Sequence, residues 1–254
     1  MTNAAELYLD FHHEDVQGYY RELNLNEAVH KVQYESGGVV YSREYFTSYP
    51  DDVLVVRLTA DQPGALSFTV RPEIPYPAAK NELDTKSNLL ATAVDDLITL
   101  SGTIDYYQLN FEVQVKVLNE GGSLNARGDV DRRRRCRCRD DSLLAVDTNY
   151  ELGPHIFLND PKEKLDPDLD PHAWVSAKID AATSHGFDAL RERHLADYEA
   201  LFDRVAVDFG AGQPGLPTHE LLANYRFVAI TIIARAAITL ITFQIRISIV
   251  LPVQ

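Results

Sequence analysis

Between residues 107 and 117 apolar side chains occupy every second position. Tyr107, Leu109, Phe111, Val113, Val115 and Val117 alternate with Gln108, Asn110, Glu112, Gln114 and Lys116. That spacing predicts a long β-strand with one face buried and the other wet. Shorter stretches repeat the pattern. Leu7, Leu9 and Phe11 alternate with Tyr8 and Asp10. Val39, Tyr41, Arg43 and Tyr45 alternate with Val40, Ser42, Glu44 and Phe46, and Leu66, Phe68 and Val70 alternate again. Residues 53–58 form a β-branched run, and residues 20–29 and 40–52 read as two strands with a turn between them and another after. Glu35-Ser36-Gly37-Gly38, Tyr49-Pro50-Asp51-Asp52, Gln62-Pro63-Gly64 and Asn119-Glu120-Gly121-Gly122 supply turns. Pro72, Pro75 and Pro77 predict a loop that runs to about residue 87. Short strands joined by such turns predict a mainly β fold, an antiparallel β-sandwich.

The pattern changes after residue 150. Residues 161–171 are rich in proline and charge, which suits a linker. Asp170 can cap a helix that has Pro171 at its first position. That helix should run to about residue 184 and end at Gly186. A second helix from about residue 187 aligns Leu190, His194, Tyr198, Leu201 and Phe202 on one side. Val205, Val207 and Phe209 predict a short strand, followed by a loop over 210–217. The expected organisation is therefore a sandwich over 1–152, incomplete at its start, a linker with two helices and a strand over 153–210, and a loop and atypical apolar tail over 211–254.

Two stretches break the local logic. Asp131-Arg132-Arg133-Arg134-Arg135-Cys136-Arg137-Cys138-Arg139 is strongly basic in a chain of net charge −14. Three readings stand: a local change of reading frame, an exposed loop, and a patch for nucleic acid or anionic glycan. The second stretch, 227–254, is dense in isoleucine, threonine, alanine and valine. A membrane span would have to carry Arg235 and Arg246, at roughly 2.5–3.5 kcal/mol each if central. The stretch also suits an aggregation-prone strand or a second change of frame.

At 254 residues the chain can bury a sizeable core, and 45% hydrophobic content is that of a globular protein. The negative charge opposes general nucleic-acid binding. Cys136 and Cys138, the two cysteines, stand too close together for an ordinary disulfide. No basic start precedes an apolar stretch near Met1, so no signal peptide is expected, and a genuine N-terminus would imply the cytoplasm.

Several clusters invite chemistry. His12-His13-Glu14-Asp15 suggests a metal cluster, but a strand would point its histidines to opposite faces; a loop with solvated polar groups is preferred. Asp166-Pro167-Asp168-Leu169-Asp170 starts like a calcium loop, yet Pro171 and Ala177 occupy the positions of its glycine and glutamate, so an EF-hand is rejected. His194, Asp197 and Tyr198 suggest acid–base work, or packing with hydrogen bonds; the latter is favoured. Arg43 and Glu44 would face opposite ways in a strand. Trp174 could stack on a sugar or serve as an interface or core residue. No nucleophile elbow, P-loop or dinucleotide loop is present.

The ordered set Tyr20-Arg21-Glu22-Leu23, Tyr41-Ser42-Arg43-Glu44-Tyr45-Phe46-Thr47-Ser48, Pro63-Gly64, Gly121-Gly122, Asp141-Ser142, Thr148-Asn149-Tyr150-Glu151, His194-Leu195-Ala196-Asp197-Tyr198 and Leu201-Phe202-Asp203-Arg204-Val205 resembles glycoside hydrolase family 95, the α-L-fucosidases. The likeness covers most of residues 7–210 and implies the family's N-terminal β-sandwich and linker. It implies a parent that hydrolyses terminal α-linked fucose on an oligosaccharide, with inversion and no metal or other cofactor. Inverting glycosidases set two carboxyl groups roughly 6.5–9.5 Å apart to admit a water. The family's acid, base and assisting asparagines lie in an (α/α)6 barrel, and no position here matches them. No catalytic, cofactor-binding or metal-binding residue is therefore carried over, and the chain alone is expected to be inactive. A stand-alone carbohydrate-binding or scaffold module is the alternative.

Overall fold

The computed structural model describes residues 2–74, 85–120, 123–127, 131–136, 139–158, 160, 163–206, 216–220 and 245–251. The strands are β1 (Thr2–Asp10), β2 (Gln17–Asn24), β3 (Val29–Ser36), β4 (Val39–Ser48), β5 (Val53–Ala60), β6 (Leu66–Glu73), β7 (Lys86–Val94), β8 (Leu97–Ile104), β9 (Leu109–Asn119), β10 (Ser123–Arg127), β11 (Asp131–Cys136), β12 (Arg139–Thr148) and β13 (Ile245–Leu251). Among the described residues, α1 (His155–Leu158) and α2 (His172–Phe202) lie between β12 and β13, with residues 218–220 also helical. The strands form an eight-stranded sheet in the order β2-β3-β4-β5-β12-β9-β8-β7 and a five-stranded sheet in the order β10-β11-β6-β1-β13. Neighbouring strands are antiparallel throughout both sheets. This is the expected sandwich.

The period-two patterns fill the space between the sheets. Leu7 and Leu9 of β1 and Leu66, Phe68 and Val70 of β6 belong to one apolar cluster with Tyr41 of β4, Val56 and Leu58 of β5, and Phe111, Val113, Val115 and Val117 of β9. The run in β5 is explained by burial on both faces, which removes the need for polar alternation. Its Val56 and Leu58 enter that inner cluster, whereas Val53 and Val55 join a second one with Phe46, Leu143 and Ala145. The second cluster is completed by Val175, Ile179, Ala182, Phe187 and Leu190 of α2. The helix thus forms a third layer on the outer face of the eight-stranded sheet.

That layer corrects one expectation. The polar face of β9 is not wet along its length: Glu112 is 5% exposed and Gln114 1% exposed. Gln114 donates to Glu112 Oε1 at 2.7 Å and to Ser176 Oγ of α2 at 2.9 Å, so the buried amide keeps its hydrogen bonds. The helix signals were local, and the start is shifted by one residue: Pro171 occupies the cap position before His172, while Asp170 Oδ1 accepts from the His172 amide at 2.9 Å from one residue further out. Gly186 leaves helical geometry at φ 72°, ψ 166°, as expected. A left-handed φ is cheap for glycine, and the helix axis breaks there. The hairpin joining β3 to β4 places Gly37 and Gly38 at φ 59° and 77°, the two positive angles a two-residue turn needs.

Other expectations change. Pro72 lies inside β6 opposite Leu7 rather than in a loop. Among the described residues β11 pairs with β6 as far as Val70. Residues 75–84 lie outside the described residues. Residues 131–136 of the basic run form β11, hydrogen-bonded between β10 and β6, instead of an exposed loop. A backbone ladder needs N–H and C=O groups, which arginine supplies as well as any residue. Arg137 and Cys138 lie outside the described residues. From the apolar tail, Ile245–Leu251 pairs with β1 as an edge strand. Among the described residues no helix is long and apolar enough to cross a membrane. Val205 sits in irregular chain, and Val207 and Phe209 lie outside the described residues.

Candidate functional site

The outer face of the eight-stranded sheet carries carboxylates, and α2 brings cations to them. Arg57 of β5 faces Asp141 across the β5–β12 ladder and grips it with Nε–Oδ1 at 2.7 Å and Nη2–Oδ2 at 2.8 Å. Its guanidinium lies 3.3 Å from the centre of the Phe187 ring and 3.4 Å from Asp188, both on α2. Arg191 spans Glu44 of β4 at 2.7 Å and Glu27 at 2.6 Å. Arg193 reaches Asp51 at 2.8 Å, and Lys178 binds Asp147 at 2.7 Å and also Asp52. His172 Nδ1 meets Glu112 Oε1 at 2.8 Å.

Local charge follows from these placements. Burial opposes the charge on Lys178 and on Arg191, but their carboxylate partners outweigh it and raise both pKa values. Burial pushes the Asp141 carboxyl up to about 6, against the pull of Arg139 and with Asp188 adding to the rise. The fork of Arg57 favours the ionised form, so the pair is charged at neutral pH. The carboxylates on this face are thus committed to holding a helix.

His194 belongs to the same seam and does not form an acid–base constellation. Its ring stacks on Phe46 and Tyr198, and Nε2 lies 2.8 Å from the Glu27 carbonyl. Tyr198 donates to the Leu25 carbonyl at 2.7 Å. Trp174 is 42% exposed on α2. Asp166 and Asp170 accept from the amides of Asp168 and His172, which uses their carboxylates in local turns. Among the described residues no group of three or more His, Cys, Asp or Glu is placed to hold a metal ion.

The other end of the eight-stranded sheet brings His12-His13-Glu14-Asp15 against the β3–β4 hairpin. They frame a hollow of about 540 Å3 whose far wall includes Glu35, Ser36 and the two hairpin glycines. Behind it Arg43, 7% exposed, points inward, opposite to Glu44 as its strand position required. Arg43 Nη2 donates to Tyr34 Oη at 2.6 Å, and the guanidinium lies 3.9 Å from the centre of the Phe11 ring. Tyr34 Oη lies 2.8 Å from His13 Nδ1, and the His13 ring sits over Tyr41 with centroids 4.0 Å apart. Burial, with the charge of Arg43 and then His12, lowers the His13 pKa, so the ring is neutral at pH 7. Burial also lifts the Tyr45 hydroxyl to about 12, against Arg43. The sequence offered the His-His-Glu-Asp string but nothing to show that a hairpin twenty residues later closes over it.

A family model described as the glycosyl hydrolase family 65 N-terminal domain matches residues 1–151. The chain belongs to that family. Two curated relatives carry fucosidase names. Alpha-L-fucosidase 2 of Arabidopsis thaliana is 31% identical, over 80% of this chain and 25% of that protein. A protein of Aspergillus niger described as a probable alpha-fucosidase A is 25% identical, over 83% of this chain and 26% of that protein. The glycosyl hydrolase chain thus spans about a quarter of the length of the curated relatives it matches. Among solved structures, a protein described as a kojibiose phosphorylase from the human microbiome superposes with a TM-score of 0.50 at 7% identity, over 77% of this chain and 27% of that one. At that identity the likeness concerns the fold alone. The resemblance to α-L-fucosidases drawn from the strand motifs agrees with the curated relatives, while the domain model carries the family 65 name.

Proposed function

We propose that this chain is the non-catalytic N-terminal part of an α-L-fucosidase-type glycoside hydrolase, whose complete form releases terminal α-linked fucose from oligosaccharides with inversion. In this reading the sandwich and its helix support a separate catalytic part and do no bond-breaking themselves. The observation that carries it is the match of an N-terminal glycosyl hydrolase domain to residues 1–151 in a chain that covers a quarter of two fucosidases. The ion-pair seam adds to it, because Asp141, Glu44, Glu27, Asp51 and Asp147 each hold a cation. The purified chain should leave 4-nitrophenyl α-L-fucoside intact at the uncatalysed rate. Turnover that disappears on a single substitution within residues 1–210 would overturn the reading.

A further inference from the structure

We draw no further inference here: the strongest candidate, the exposed apolar patch of Leu25 and Phe202 beside Tyr198, where the end of α2 meets the β2–β3 turn, carries nothing because nothing in the structure shows what covers it.

Discussion

Replacing Arg57 with methionine is a direct probe of how the helix is held to the sheet. Arg57→Met keeps an aliphatic stem against Phe187 but removes the two bonds that reach Asp141 at 2.7 and 2.8 Å. The Asp141 side chain is 13% exposed, so its charge is left largely desolvated. Breaking a buried pair by removing one partner costs roughly 3–5 kcal/mol. Arg139 still approaches Asp141 at 3.3 Å, which places the expected loss near the lower bound, about 3 kcal/mol at pH 7.5. The sign with pH follows from Asp141, whose folded-state pKa lies above its ordinary value and rises further without Arg57. A raised carboxyl contributes stability that is present below the unfolded pKa and is lost as pH rises through the folded one. The deficit of Arg57→Met should therefore shrink at pH 5, and Asp141→Asn in the same chain should recover much of it. Urea unfolding followed by tryptophan fluorescence reads this directly, since the sole tryptophan, Trp174, lies on α2. A loss below about 1 kcal/mol at pH 7.5, the range of exposed ion pairs, or a loss equal at both pH values, would refute the reasoning.

Two further outcomes are expected. Ile179→Ala removes a side chain that is 2% exposed between α2 and the sheet; it should lower unfolding free energy by about 3 kcal/mol in urea titration, within the usual range for such truncations. His13 has a depressed pKa, so it contributes stability above its unfolded value of about 6.5 that is lost as pH falls. Asp141 works in the opposite sense, so calorimetric Tm values of wild type and His13→Gln should be compared between pH 7.5 and pH 5; the gap between them should narrow as the solution is acidified.

The inner face of the sandwich was legible because it is written at the spacing of a strand. The stripe ending at Val117 and the Leu66, Phe68, Val70 set need only the rule that alternate residues share a face. The outer layer was not legible, because the groups that meet there are far apart in the chain. Arg57 and Asp141 are separated by 84 positions and Arg191 and Glu27 by 164. The burial of Glu112 and Gln114 depends on a helix that begins about sixty residues later. Strand β7 escaped the reading because it is an edge strand with little burial contrast between its faces; β8 was legible, since Ile98, Leu100 and Ile104 alternate with Leu97, Thr99 and Thr103, and the reading passed over it. The helix break at Gly186 and the Asp170 turn before α2 were visible because glycine and aspartate act through their own backbone neighbourhood. The hollow was half visible: its histidines stand in a row, but its opposite wall comes from a turn whose proximity only the β3–β4 pairing creates.

The cations along α2 are moored to different strands: Lys178 reaches the ends of β5 and β12, Arg191 the β2–β3 region and β4, and Arg193 the turn after β4. The moorings fall on both sides of the break at Gly186, Lys178 before it and Arg191 and Arg193 after it, so each segment of α2 is tied to the sheet separately. Phe202, the last residue of α2, is therefore anchored to the sandwich through the cations of the segment that it ends.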